Sequence, residues 1–345
     1  MPPAPTTYAL VDAWSWASPF RLTGWLERNQ FHPLGAALLV LVLAFFLFQG
    51  IGLVIMAVGL AVSVAQSGDP QVAVSELDLE TLITENGMLL LSGNTVGQWI
   101  GFTLFAILVA RMSTPEWKEF VRVRRPDGLG FVLAGFGWVV FYPLVLWLGQ
   151  LNEAIPLPEG IQKWEAQQGD ALEMLLLGAD LPAWFLFVAV AITPAICEEL
   201  IFRGYLQRQV ERGMGLVWSI VLVGIVFGLY HLQLSKAIPL AALGIYLGFV
   251  VWATGSVWTG ALVHLLNNGF AVVMVTIARS QPDLDLEAIE TMGIPGYLAA
   301  ASLVLTAAVC YAIYQRRHQI VGDTPDAAPT QDESALPSSL SPVHV

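Results

Sequence analysis

Ionisable side chains are scarce in the apolar stretches of this chain, and those present gather at three places. The first is Cys197-Glu198-Glu199-Leu200-Ile201-Phe202-Arg203-Gly204. The second is Phe227-Gly228-Leu229-Tyr230-His231, and the third His264-Leu265-Leu266-Asn267-Asn268. An ionisable group inside a membrane-spanning helix is costly to keep and points to function by default. Residues four apart share a helical face. Glu199 therefore reaches Arg203 on its own helix, Phe227 lies beside His231, and His264 beside Asn268. Glu198 is turned about 100° from Glu199 and is left for a partner on another helix. If the three helices pack together, Glu198, His231, His264 and Asn268 converge on one cavity.

A carboxylate beside an imidazole, with little water around, is the material of general-base catalysis, in which a deprotonated water attacks a carbonyl. His264 with Asn268, or Arg203, would stabilise the resulting oxyanion. Two His nitrogens and a Glu oxygen are also a donor set for zinc with one position open to water. A structural account stands beside these. A lone intramembrane His often satisfies a helix–helix hydrogen bond. Glu199 with Arg203 makes a neutralised pair near the cytoplasmic edge, and Arg203 can snorkel to the interface. Tyr230, Gln233 and Asn267 serve packing or solvation. That account has to hold on three stretches at once, while the rest of the apolar sequence stays almost uncharged.

These stretches must be placed by helices in a bilayer. Of 345 residues, 56% are hydrophobic and only 12% charged, and the mean hydropathy is +0.67. Soluble domains average about 25% charged residues. The composition excludes an ordinary soluble enzyme, a disordered protein and a nucleic-acid binder. An all-α, polytopic membrane fold with about eight helices remains. Candidate spans of about 20 apolar residues fall near 34–65, 88–110, 129–150, 182–206, 216–234, 237–254, 257–277 and 296–314. The first is overlong and is expected to tilt, to bend near Gly50 and Gly52, or to project from the bilayer. Short connections make spans five, six and seven an antiparallel cluster. Eight spans with both termini inside split the 15 Lys and Arg twelve to three, in keeping with positive charge on the cytoplasmic side. The three outside are Lys163, Lys236 and Arg279, and the acidic loops 66–87, 152–181 and 278–295 fall with them. One feature fits a straight-rod bundle poorly: Glu198 lies near the inner end of span four and His231 far into span five. Either Pro194 bends span four, or that helix continues inward past Arg203.

Residues 1–33 are expected to form an N-terminal cytoplasmic or interfacial segment, with Trp14, Trp16, Phe20 and Trp25 suited to the membrane surface. Residues 34–321 make the helical domain, with a core at about 180–280, and 322–345 a Pro-, Ser- and Asp-rich disordered cytoplasmic tail. The start lacks the pattern of a cleavable signal peptide. The loop 152–181 is expected to hold a short interfacial helix. Cys197 and Cys310 are read as small apolar fillers, and Gly244 with Gly248 as a site of close helix packing. No internal repeat is visible, so an inverted-repeat transporter gains no support.

Glu198-Glu199-x-x-x-Arg203, Phe227-x-x-x-His231 and His264-x-x-x-Asn268 resemble, intact and in order, the motif set of the CPBP intramembrane proteases. That family includes CAAX prenyl proteases and bacteriocin-processing or self-immunity proteins of the ABI type. The resemblance covers about residues 180–280. It implies an endopeptidase acting within or beside the membrane. Glu198 with His231 would activate the water, His264 with Asn268 would hold the oxyanion, and Glu199 with Arg203 would fix the helix and assist. The family has been described as metal-dependent and as glutamate-dependent. No HExxH is present, and a metal-free water is preferred here, with zinc as the alternative cofactor. The expected partners are a peptide or protein substrate at the membrane and the bilayer itself, with no nucleic acid. The expected location is a bacterial cytoplasmic membrane. The competing readings are a non-catalytic scaffold or immunity factor of the same fold, and a transporter or channel with polar residues lining a path. Neither substrate identity nor oligomeric state is legible.

Overall fold

The computed structural model describes residues 22–66, 79–281 and 293–322. Among these there is no strand, and the chain is a polytopic all-α membrane protein. Seven helices are long and apolar enough to cross a bilayer: α1 Pro33–Gln66, α2 Gly87–Ser113, α3 Gly128–Glu153, α4 Ala183–Met214, α6 Leu234–Thr254, α7 Val257–Ser280 and α8 Gly296–Gly322. The remaining candidate, α5 Leu216–Tyr230, has 15 residues and is shorter than the sequence pattern suggests. The parts of the N-terminal segment before residue 22, of the acidic loops at 67–78 and 282–292, and the tail from 323 lie outside the described residues.

Helix boundaries follow local chemistry. Asp127 caps α3 by accepting from the Gly130 amide at 2.9 Å, and Ser256 caps α7 through the Trp258 amide, each satisfying an orphan donor of a first turn. Gly255 closes α6 in the left-handed region at φ +64°, where a Cβ is penalised. Small residues let backbones meet. A Cβ on Gly244 would stand 2.7 Å from the Gly224 carbonyl oxygen, and one on Gly228 would stand 2.6 Å from that of Ala237. This seats α5 directly on α6. Gly52 of α1 faces Gly93 of α2 in the same way, and α1 runs unbroken through Gly50 and Gly52. On the other side, Ser302 of α8 donates to the Val140 carbonyl and accepts from the Leu144 amide beside Pro143, tying α8 to α3.

The bundle is centred on α4. In its most apolar window 61% of residues are buried inside the protein, against 11% for α1. The helix has 32 residues and continues well past the end expected near 206. The polar residues that suggested an exit are buried instead. Arg208 donates to the Phe120 carbonyl, Arg122 pairs with Glu211 at 2.7 Å, Gln207 donates to the Gly248 carbonyl, and Arg212 holds Glu27 with both terminal nitrogens. This continuation resolves the depth mismatch: Glu198 stands midway along α4 rather than at its end.

The expected helix of the 152–181 loop is present as Glu159–Glu173, with no buried residue. Cys197 and Cys310 are free thiols.

Candidate active site

The acidic pair sits on a short α-helical stretch, Thr193–Glu199, flanked inside α4 by two π-helical segments, Phe187–Ile192 and Leu200–Leu206. The wider i→i+5 turn re-aims side chains and loosens carbonyls from the regular ladder. Glu199 is fully buried. Its Oε1 accepts from Arg203 Nη1 at 2.9 Å and from His264 Nδ1 at 3.0 Å. Arg203, also fully buried, donates in addition to the Gly244 carbonyl at 3.2 Å and stacks over the Phe227 ring at 4.2 Å. It does not snorkel, and the pair is internal rather than at an edge. The other carboxylate oxygen, Oε2, has no hydrogen-bond partner and lies against Gly260 of α7, where a Cβ would come within 2.5 Å of it. Only a glycine leaves room there for the carboxylate.

His264 is 2% exposed. A carboxylate can only accept, so Nδ1 carries the hydrogen and Nε2 is the remaining functional nitrogen. Asn268, one turn along α7, donates to the Val190 carbonyl at 3.0 Å, within the first π-helical segment. Its Oδ1 accepts from Asn267, which in turn accepts from Trp138 Nε1. These bonds lock α7 against α4 and α3.

His231 is placed differently. It caps the C-terminus of α5 and is exposed. Its Nδ1 donates to the Phe227 carbonyl at 2.8 Å, which leaves Nε2 as the basic nitrogen of the neutral ring. Phe227 joins the two imidazoles, with ring centroids 4.9 Å from His231 and 5.8 Å from His264. The turn after His231 contains Leu232 at φ +57° and is held by two residues with no visible signal in the sequence. Buried Asn152 of α3 donates to the Leu234 carbonyl and accepts from the Ile238 amide. Glu165, on the helix Glu159–Glu173, accepts from the Leu234 and Ser235 amides. Burial pushes the Glu165 carboxyl up, but the Ser235 hydroxyl, the two amides and Lys236 outweigh it and hold the group below its ordinary value.

The three stretches thus converge, but not in the expected pairs. His264 meets Glu199, a contact between helices that spacing along one helix does not reveal. Glu198 is half-buried and has no hydrogen-bond or ion-pair partner among the described residues; Arg203 and Tyr230 feel its charge. The Tyr230 hydroxyl is buried without a partner, among the rings of Phe45, Phe102 and Phe202. The donors suit zinc poorly as they stand. Arg203 already occupies the Glu199 carboxylate and opposes a second cation, and among the described residues no three His, Cys, Asp or Glu are grouped to hold a metal.

Residues 180–270 match the family model described as type II CAAX prenyl endopeptidase Rce1-like. The matched range contains Glu198, Glu199, Arg203, His231, His264 and Asn268, so all three motifs lie inside it. The chain is also 25% identical over 184 residues to a Bacillus subtilis (strain 168) protein named "Putative membrane peptidase YdiL", covering 52% of this chain and 71% of that one. No solved structure matches the chain. Both likenesses support, at the level of a family resemblance, a CAAX-type intramembrane protease.

Proposed function

We propose that the chain is a membrane-embedded endopeptidase that hydrolyses a peptide bond of a membrane-associated or lipidated protein by a water activated without a metal. The observation that carries this reading is the buried Glu199–Arg203–His264 cluster, joined through Phe227 to an exposed His231, with Glu198, unpartnered among the described residues, adjoining Glu199 in the chain. Glu198 and the free Nε2 of His231 take the proton of the attacking water. The negative charge on the substrate oxygen is met by the second N–H of Asn268 and by His264. With Nδ1 committed to Glu199, His264 meets that oxygen through Nε2, which must carry a proton of its own to donate. Arg203 neutralises Glu199 and fixes its rotamer. The bond from water oxygen to carbonyl carbon forms first. The C–N bond then breaks, with the proton passed from Glu198 or His231 to the departing amine.

The placement of basic residues supports cytoplasmic termini, and the likeness to a Bacillus subtilis protein supports a bacterial cytoplasmic membrane as the setting. The test is cleavage of a fluorogenic peptide library by purified protein in nanodiscs, for wild type, Glu198→Gln and His231→Ala, with and without chelator. Loss of cleavage in both variants and indifference to chelator are expected. Abolition by chelator with recovery on zinc addition sinks the metal-free route. Retained biological function in Glu198→Gln favours the scaffold or immunity reading.

A further inference from the structure

A cavity of about 520 Å³ lies away from the candidate active site. It opens where the N-terminus of α3 meets the C-terminal ends of α6 and α8. Its lining includes Arg124, Arg125, Arg316 and Arg317 against a single carboxylate, Asp127. Positive charge on one side of a membrane protein accounts for the sign of these residues. It does not account for four arginines from two distant chain segments lining one concavity.

The cavity is built rather than incidental. The segment carrying Arg124 and Arg125 is strapped to the α6–α7 turn: Ser256 donates to the Arg124 carbonyl at 2.6 Å, and the Val257 amide donates to the Arg122 carbonyl at 3.0 Å. Asp127 accepts two bonds from Arg316, each 3.1 Å. That pair clips α8 to the start of α3 and keeps Asp127 ionised; the Arg316 hydrogen bond is the main reason its carboxyl sits below the ordinary value. Arg317 is 9% exposed, with its guanidinium 3.8 Å above the Trp252 ring. Arg125 is exposed and has no hydrogen-bond or ion-pair partner among the described residues. The lining sets four Arg against one Asp; Arg316 is paired with Asp127 and Arg124 with Glu119, each at 3.1 Å, and Arg125 and Arg317 are the other two cations of the lining. Trp252 stacks with Tyr314 beside it, the kind of aromatic pair that marks headgroup depth.

The geometry points to a site for the phosphate headgroup of an anionic phospholipid, held by Arg125 and Arg317 with Arg124 and Arg316 at the rim. Guanidinium forks match phosphate oxygens in pairs, and basic pockets between helices on the cytoplasmic side suit acidic headgroups. A lipid is favoured over free phosphate because three helices of spanning length or composition end at the cavity, so its mouth lies where headgroups are concentrated. The assignment is independent of the proposed hydrolysis.

The test uses the full chain, purified and exchanged into mixed phosphatidylglycerol and phosphatidylcholine nanodiscs. It is then washed with delipidating detergent, and retained lipid is counted by native mass spectrometry. Wild type should retain phosphatidylglycerol in preference to phosphatidylcholine. Arg125→Gln, on an exposed side chain, should lower that retention about fivefold, and Arg125→Gln with Arg317→Gln about thirtyfold, at roughly one screened charge contact each. Phosphatidylcholine retention and melting temperature in phosphatidylcholine discs should stay level in Arg125→Gln, which shows that this variant is folded. Equal phosphatidylglycerol retention in wild type and both variants overturns the assignment. So does full displacement of the lipid by excess inorganic phosphate, which identifies a free-anion site.

Discussion

His264 and His231 are held in opposite ways. His264 is enclosed, its ring nitrogen bound to a carboxylate that is itself bound to a guanidinium. His231 stands exposed at a helix end, its hydrogen bond going to a backbone carbonyl of its own turn. The first environment is organised by charge, and each member needs the others to remain buried. The second is organised by hydrogen bonds from Asn152 and Glu165, which sit outside the motifs. One imidazole therefore belongs to the core and the other to an opening, and stability and activity should separate between them.

The sharpest way to break this contrast is Arg203→Met. It leaves Glu199 buried beside a single imidazole, and loss of one partner of a buried ion pair costs about 3–5 kcal/mol. Thermal unfolding in detergent should show a large drop in melting temperature; an unchanged value would mean that Glu199 is neutral in the folded protein. Gly260→Ala comes next, because its methyl would overlap Glu199 Oε2 and Val251. Overpacking of this kind costs about 1–3 kcal/mol, and cleavage should fall with it. Asn152→Ala should cost about 1–3 kcal/mol by stranding the Leu234 carbonyl and Ile238 amide, with cleavage reduced although no motif residue has changed. His231→Ala should abolish cleavage while shifting stability by less than about 0.5 kcal/mol. An equal loss of stability in His231→Ala and His264→Ala would erase the distinction.

The smallest effect concerns pH. The folded Glu165 carboxyl lies below its ordinary value of 4.5. Its contribution to the turn is thus present above that value and is lost as pH falls through the lower, folded value. Hydrogen exchange at the Leu234 and Ser235 amides should quicken over that acidic window, with the His264 region unaffected. A uniform response across both regions would count against a separate latch.

Much of this arrangement was legible in the residues. Apolar run lengths located the eight helices, and the four-residue spacing correctly paired Glu199 with Arg203 and Phe227 with His231. Spacing on one helix defines a face, however, and not which neighbour looks at it; the bond from His264 to Glu199 rather than to Asn268 depended on how α7 docks. Hydropathy also ended α4 too soon. It scores Gln207, Arg208, Gln209 and Arg212 as solvated, whereas protein carbonyls and carboxylates take the place of water there. The π-helical segments leave no compositional trace, and Gly260 looks like any other helical glycine until a carboxylate is seen against it.

The short helix α5 has a mechanical meaning for the lipid around it. Fifteen residues rise about 22 Å, less than the roughly 30 Å of a hydrocarbon layer. A bilayer meeting that helix must dimple or leave a wet recess at its end, and His231 marks that end. On the proposed hydrolytic reading, such a meniscus would bring water to His231 at a depth that longer neighbouring helices seal off. Thicker membranes should steepen the dimple and thinner ones flatten it, so acyl-chain length becomes a dial on turnover without any change in the protein.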